Sequence, residues 1–171
     1  MPSSFSLEDL PLGKVFVATR PSVPTDAPFL LRVYAGTREA ELARLPWSVA
    51  EKQRFLRMQF EAQDHAYREK FPELSRLILL ADGRAAGRLY LQEAAGAWRV
   101  VDISLLAEWR RRGIGAAVLR EVQRQAAAAG AGVTLSVEMQ NPARRLYARL
   151  GFRETGVSDG VYLAMEWQPG K

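Results

Sequence analysis

The sequence contains no cysteine, one histidine and no apolar stretch long enough to cross a membrane. The absence of cysteine excludes disulfide bonds, thiolate catalysis and cysteine-based metal sites, and it fits a reducing compartment. A single histidine, His65, excludes a histidine metal cluster. A bilayer span needs roughly 20 apolar residues, and Met1–Leu12 lacks the basic start and apolar core of a signal peptide. We therefore expect a cytoplasmic protein that binds no metal and enters no membrane.

The composition is that of a globular domain with an excess of positive charge. At 171 residues, 48% hydrophobic and 25% charged, the chain fits one domain spanning residues 1–171. The net charge of +5 favours an anionic partner, either a phosphate-bearing cofactor or a nucleic acid. The arginines that could form a basic face are Arg110, Arg111, Arg112, Arg120, Arg124, Arg144, Arg145 and Arg149. Because no aromatic residues are interleaved with them to stack on bases, we do not expect direct nucleic-acid binding.

The first half of the chain is predicted to be mostly helical. We expect a loose arm over Met1–Gly13, a strand over Lys14–Arg20, a helix capped by Asp26 that runs to Tyr34, and a short helical piece over Thr37–Leu45. The longest helical pattern runs from Ser48 to about Lys70. Ser48 and Glu51 have the spacing of a capping box.

The second half alternates strands with helices. Ser75–Leu80 and Arg84–Leu91 are predicted strands, joined by an Asp-Gly turn that is typical of hairpins. Further strands are predicted up to Leu106 and over Val133–Val137, Phe152–Thr155 and Val161–Trp167. The strands that end at Leu106 and Val137 are separated by a helix and should be parallel. The pattern indicates an α/β fold, a single domain whose mixed β-sheet has about six or seven strands.

A basic, glycine-bearing turn lies between the strand that ends at Leu106 and the helix that follows it. Ligands of such sheets collect at the carboxyl ends of strands, beside helix N-termini. Glycine lets backbone N–H groups press against a ligand, and the free N–H groups of a first helical turn favour a phosphate. The turn consists of Arg110, Arg111, Arg112, Gly113, Ile114, Gly115 and Ala116. We interpret it as a pyrophosphate-binding loop, although it matches neither the G-x-G-x-x-G fingerprint nor a P-loop.

This turn resembles the R/Q-x-x-G-x-G/A acetyl-CoA loop of the GNAT superfamily of N-acetyltransferases. Asn141–Phe152 (NPARRLYARLGF) resembles the downstream N…A…LYxxLGF motif of the same superfamily. The resemblance is strong from about Asp82 to Trp167 and weak over the first seventy residues. It implies a GNAT-like sheet flanked by helices on both faces, with acetyl-CoA as a cosubstrate. Its pantetheine arm would lie between two splayed strands, along the backbone of Ile103, Ser104 and Leu105.

The resemblance also implies roles for individual side chains. Tyr147 matches the motif tyrosine that serves as general acid in many relatives, and with Asn141 it would lie against the cofactor. Helical spacing alone favours a packing role for Tyr147. Glu138, just after the second splayed strand, is the nearest candidate for the general base, Asp102 on the other strand is the alternative, and water could also serve. The acceptor pocket could be lined by Gln59, Phe60, Gln63 and Tyr67, while His65 is expected at the surface.

The leading hypothesis is an enzyme that transfers an acetyl group from acetyl-CoA to a primary amine in a ternary complex. The amine could belong to a small molecule or a protein, and the enzyme could be a monomer or a homodimer. The alternative is a non-catalytic module of the same fold that binds acyl-CoA as a sensor or structural element. An intact cofactor loop without a competent acid or base would distinguish that module.

Overall fold

A computed structural model describes residues 4–170, in which eight β-strands form one sheet and four α-helices pack against it. The strands are β1 (Leu10–Leu12), β2 (Val15–Pro21), β3 (Ser75–Ala81), β4 (Arg84–Ala94), β5 (Ala97–Leu105), β6 (Gly132–Glu138), β7 (Arg153–Ser158) and β8 (Tyr162–Trp167). The helices are α1 (Ala27–Ala43), α2 (Val49–Lys70), α3 (Ile114–Ala128) and α4 (Ala143–Arg149). The sheet order is β1-β2-β3-β4-β5-β6-β8-β7. Only β5 and β6 pair in parallel, as predicted.

The two helix pairs cover opposite faces of the sheet. On one face, α1 packs against α2, with Tyr34 and Phe60 5.8 Å apart between ring centroids, and Tyr67 of α2 contacts Tyr90 of β4. On the other face, the apolar side of α3 joins the core that includes Leu89 of β4. Alternating strand side chains therefore point to different helix pairs. The mixed α/β architecture with helices on both faces is confirmed.

The prediction of a loose N-terminal arm over Met1–Gly13 is wrong for the part that the structure describes. Phe5 and Leu7 are only 2% and 3% exposed, and the Phe5 ring meets Trp98 edge-on. Strand β1 then pairs with β2. This segment has too few apolar residues to show the two-residue period of a strand. Phe5 and Leu7 nevertheless pack into the hydrophobic core. Strand β1 raises the strand number from the expected six or seven to eight, and the first three residues lie outside the described range.

A single helix, α1, replaces the two helical pieces predicted on either side of Gly36. A Cβ at Gly36 would lie 3.2 Å from Nη2 of Arg110, so this glycine makes room for a neighbouring side chain and does not end the helix. A glycine inside a helix costs about 1 kcal/mol relative to alanine, which tertiary packing readily offsets.

The local signals in the rest of the chain are confirmed. Ser48 Oγ accepts a hydrogen bond from the Glu51 N–H, and the Glu51 carboxylate accepts one from the Ser48 N–H, which completes the capping box of α2. The turn between β3 and β4 places Asp82 and Gly83 at positive φ, 49° and 74°, as a two-residue hairpin requires.

Asp26 at the start of α1 is expected to give the protein a stability component that acid removes. Its carboxylate accepts two hydrogen bonds from the Arg20 guanidinium, each 2.7 Å, and one from the Val23 N–H. The Arg20 hydrogen bond lowers the pKa of Asp26 to about 2. A lowered pKa stabilises the fold above the unfolded-state value near 3.9, and this component is lost as pH falls from there towards 2. The Asp26→Asn variant should melt about 2–8 °C below the wild type at pH 7. The difference should shrink below pH 3, and a difference independent of pH would contradict the assignment.

Candidate active site

Strands β5 and β6 separate after a short paired stretch and open a cleft in the sheet. Their register runs only from Ala97↔Gly132 to Val100↔Leu135, whereas β5 continues to Leu105 and β6 to Glu138. A bulge accompanies the separation, since Leu91 of β4 faces Val100 but Tyr90 faces Asp102, which leaves Val101 without a partner on β4. Bulges bend a strand and increase its twist. The cleft has a volume of about 550 Å³.

The facing edges of β5 and β6 beyond the paired stretch have no strand partner among the described residues. Such an edge presents backbone N–H and C=O groups that an extended ligand can pair with. Of the predicted site residues, Ile103, Ser104, Glu138, Asn141 and Tyr147 line this cleft. Leu105 and the turn from Arg110 to Ala116 do not line it. The edge of β5 and the segment from Asn141 to Tyr147 therefore meet in one cleft, although they lie about 40 positions apart in the chain.

The N-terminus of α3 presents free backbone donors next to the end of β5. The first helical bond runs from the Ala117 N–H to the Gly113 carbonyl, 3.0 Å, so the N–H groups of Ile114, Gly115 and Ala116 have no intrahelical acceptor. Within the described residues, no side chain caps this end. Gly113 has φ +79°, a conformation that favours glycine, and a Cβ at Gly115 would meet its nearest neighbour, Leu146, at 4.0 Å. Anion binding at this turn stays a prediction, in which Ile114 could contribute backbone only because its side chain is 1% exposed.

The three arginines before this turn have different surroundings. Arg110 Nε donates a hydrogen bond to the carbonyl of Leu105 at 2.9 Å, which ties the loop to the end of β5. The Arg112 guanidinium lies 5.0 Å from the centre of the Trp109 ring. Arg111 is exposed and has φ +59°. A contact between all three arginines and a phosphate stays a prediction, in which Arg110 would have to share its donors with Leu105.

Tyr147 reaches the cleft from α4, which begins where Asn141 caps it. Asn141 Oδ1 accepts a hydrogen bond from the Ala143 N–H at 2.9 Å, as the sequence predicts. Tyr147 is 9% exposed, and its ring packs edge-on against Phe152. Burial and the negative charge of Asp102 raise its pKa to about 12, so it stays protonated at neutral pH. In the described part of the chain, no group hydrogen-bonds its hydroxyl, which is available to a ligand in the cleft.

A buried ion pair that the sequence reasoning missed forms the floor of the cleft. Arg88 of β4 is 1% exposed, and its Nη2 donates to Oδ2 of Asp102 at 2.7 Å and to Oε1 of Gln63 at 2.9 Å. Ser104 Oγ donates to the other oxygen of Asp102, also at 2.7 Å. Both carboxylate oxygens of Asp102 are therefore occupied. The signal in the sequence that could have indicated this pair is a charged residue within each of two apolar strands, Arg88 in β4 and Asp102 in β5.

Glu138 differs from Asp102 in having a carboxylate without a described partner. It lies at the end of β6, is exposed and lines the cleft. Of the residues expected to form the acceptor pocket, Gln63 and Tyr67 line the cleft, and Gln59 and Phe60 do not. His65 lies at the surface as expected, 3.4 Å from Glu69.

The described residues also bear on metal and membrane binding. Across residues 4–170, no group of three or more His, Asp or Glu side chains is placed to hold a metal ion. No helix in that range combines the length and the apolar character that a transmembrane helix needs.

Comparison with known proteins places the chain in a family. Residues 46–163 match the family model described as the acetyltransferase (GNAT) domain. Because this match covers more than half of the chain, the protein belongs to the GNAT acetyltransferase family. By sequence alone, none of the curated proteins compared with this chain matches it.

Solved structures with the same fold include several acetyltransferases. One is a paia N-acetyltransferase from Thermoplasma acidophilum in complex with coenzyme A, with 20% identity, a TM-score of 0.67 and coverage of 89% of this chain and 98% of that one. Another is RimJ from Mycobacterium smegmatis in complex with CoA-disulfide, with 19% identity, a TM-score of 0.59 and coverage of 90% and 82%. A ribosomal-protein-alanine N-acetyltransferase from Escherichia coli has 19% identity, a TM-score of 0.57 and coverage of 88% and 91%. At these identities the likeness establishes the fold.

Proposed function

We propose that the protein transfers the acetyl group of acetyl-CoA to a primary amine by direct attack in a ternary complex. The observation that carries this proposal is an unpaired strand edge and the free hydroxyl of Tyr147 in one cleft, with the uncapped N-terminus of α3 nearby, where a Cβ at Gly115 would lie 4.0 Å from Leu146 of α4. In this reaction the amine nitrogen bonds to the acetyl carbon, the carbon–sulfur bond breaks, the amine loses a proton and the sulfur gains one.

The surroundings of the cleft suit the proposed cosubstrate at both of its ends. The edge of β5 at Ile103 and Ser104 offers backbone hydrogen bonds to the amides of the pantetheine arm. The N–H groups of Ile114, Gly115 and Ala116, at the positive end of the α3 dipole, suit a diphosphate. Several arginines lie close by in the chain and add positive charge to this end of the site.

Tyr147 is the proposed proton donor to the departing sulfur. Complete transfer from a phenol whose pKa is raised to about 12 to a thiolate of pKa about 8.5 is uphill by about 5 kcal/mol. A hydrogen bond that strengthens as negative charge develops on sulfur is therefore the favoured form of its action. Because the pKa lies well above neutrality, this role persists into alkaline solution.

Glu138 is the proposed acceptor of the amine proton. Its carboxylate lines the cleft without a described partner, whereas both oxygens of Asp102 are held by Arg88 and Ser104. Asp102 instead acts on Tyr147, because its charge raises the pKa of the phenol.

The Tyr147→Phe variant tests the catalytic proposal against the alternative of a non-catalytic acyl-CoA-binding module. We expect kcat for CoA release to fall about 100-fold, because removal of one hydrogen-bond donor to a developing negative charge lowers kcat by about 10²–10³. The dissociation constant for acetyl-CoA, measured by calorimetry, should change by less than about threefold. Phe152→Leu, which alters the packing around the Tyr147 ring and leaves its hydroxyl, is the control. Turnover that Tyr147→Phe leaves intact would remove the proposed role, and a wild type that binds acetyl-CoA but acetylates no amine would favour the module.

A further inference from the structure

Two cations without an acidic partner form the wall of the cleft at the C-terminal end of α2. The ammonium of Lys70 and the guanidinium of Arg99 each lie 5.6 Å from the centre of the Phe71 ring, and all three residues line the cleft. Of the carboxylates in residues 4–170, none lies within 4.0 Å of either cation, whereas the other cleft arginines, Arg38 and Arg88, are paired with Glu or Asp. Neither cation therefore has an ion-pair partner in that range, and the two cleft carboxylates that also have none, Glu138 and Asp159, lie at the end of β6 and between β7 and β8.

Arg99 is held in place at the point where the strands separate. Its Nη2 donates to Ser136 Oγ of β6 at 2.9 Å, across the gap that opens after Val100↔Leu135. That bond is the only hydrogen bond of the Arg99 side chain among the described residues, and its buried Nε has no partner there. A half-buried guanidinium without an acidic partner is unfavourable unless an anion compensates it. Its remaining donors and its fixed position suit an anion that enters the cleft.

The cation pair lies on the side of the sheet opposite to Tyr147. Arg99 contacts Phe71 at the end of α2, and Asp102, the next β5 residue on that face beyond the bulge, is linked to Gln63 of α2 through Arg88. Tyr147 reaches the same cleft from α4 on the opposite face. An acceptor that approaches from the α2 side therefore passes the two cations before its amine meets the acetyl group.

We propose that the natural acceptor carries an oxyanion, a carboxylate or a phosphate, close to its reactive amine, and that Arg99 and Lys70 bind this group. The proposal rests on the acetyl transfer proposed above and specifies its substrate class. The Phe71 ring lies 5.6 Å from each cation, and the hydrogen bond to Ser136 holds the guanidinium, a group whose donors can bind two oxygens. The unpaired carboxylate of Glu138 lies further along β6, where it can accept a proton from the amine. Polyamines and other purely cationic amines are the acceptors that this wall disfavours.

The test compares acceptors in matched pairs that differ only in the anion. Suitable pairs are alanine and alaninamide, phosphoethanolamine and ethanolamine, and peptides with Glu or Gln as the second residue, each compared at equal concentration of free base. We expect kcat/KM for CoA release to be at least about tenfold higher for the anionic member of one pair, since hydrogen bonds to charged groups contribute factors of this size. The amino-acid, phosphate and peptide pairs distinguish the sources of the anion. Equal or lower turnover of every anionic member would overturn the proposal.

Substitution of each cation tests whether the preference for anionic acceptors comes from this wall. Arg99→Gln and Lys70→Gln should each reduce the preference for the anionic member about tenfold, mainly through KM, and should leave acetyl-CoA affinity unchanged. Arg54→Gln removes an exposed cation from the same helix away from the cleft and should leave the preference intact. A preference that survives both cleft variants would refute the assignment.

A binding measurement separates this proposal from the proposed function. The paired acceptors are titrated calorimetrically into the wild type and into Arg99→Gln, both in complex with CoA. Tighter binding of an anionic member, lost in Arg99→Gln, would support the anion site even if no acceptor were acetylated. Loss of acetyl-CoA binding or of all turnover would instead count against the proposed function, and equal affinity within every pair would overturn the anion site.

Discussion

Replacement of Gly115 by valine is expected to weaken acetyl-CoA binding at least about 100-fold while the protein remains folded. The Gly115 Cα lies in the first turn of α3, between the free N–H groups of Ile114 and Ala116. A branched side chain there would keep a diphosphate away from these donors. The loss of two hydrogen bonds to a charged group, each contributing about 1.5–3 kcal/mol, accounts for a change of this size. Calorimetric titration of acetyl-CoA measures it directly.

Two further variants separate the ligand contact from the stability of α3. Gly115→Ala adds one methyl group that meets its nearest protein neighbour at 4.0 Å, so the melting temperature without ligand should stay level or rise while acetyl-CoA affinity falls. Ala128→Val places a valine at the exposed opposite end of the same helix and should leave affinity unchanged. If Gly115→Val bound acetyl-CoA as tightly as the wild type, the diphosphate could not occupy this helix terminus.

Arg88→Met is expected to be the most destabilising single change in the site. It would leave the Asp102 carboxylate without its 2.7 Å partner in a largely buried position. Removal of one member of a buried ion pair costs about 3–5 kcal/mol, which for a protein of this size lowers the melting temperature by about 6–20 °C. Thermal unfolding monitored by circular dichroism gives this number.

The double variant Arg88→Met/Asp102→Leu tests whether the cost comes from the uncompensated charge. With both charges replaced by apolar side chains, most of the lost stability should return, because the pair itself must be desolvated on folding. A double variant less stable than Arg88→Met would show that the two side chains contribute independently. The single Asp102→Leu variant completes the cycle.

The C-terminal part of the site could be predicted because its signals are local. The glycine turn before α3, the cap formed by Asn141 and the position of Tyr147 in α4 each depend on residues within a few positions in the chain. Features of this kind depend on neighbouring residues, so they can be predicted from the sequence without knowledge of the rest of the fold.

The floor of the cleft could not be predicted because it depends on strand register. Arg88 contacts Asp102 because β4 and β5 pair with a bulge at Val101. The bulge shifts the register by one residue, so that Arg88 and Asp102 lie on the same face of the sheet. No pattern within either strand reveals that extra residue. The cation wall has the same origin, since Phe71 and Arg99 are brought together by the packing of α2 on the sheet.

The N-terminal error has a different physical cause. Phe5 and Leu7 are isolated apolar residues in a polar stretch, too few to show the two-residue period of a strand. They are buried because they pack against Trp98 and neighbouring core residues, which are distant in the chain. Gly36 illustrates the same point, since its role is set by Arg110, more than seventy positions away in the chain.

The parting of β5 from β6 also affects how the sheet is held together. At this seam, only four residue pairs join the five strands from β1 to β5 with the three strands β6, β8 and β7, fewer than at any other junction of the sheet except the one between the short strand β1 and β2. An extended molecule lying in the seam would act as a ninth, non-covalent strand that ties the two halves to each other. A ligand that binds the folded protein and not the unfolded chain raises the free energy of unfolding. If this ligand is acetyl-CoA, as proposed above, the melting temperature of the protein would rise with the acetyl-CoA concentration.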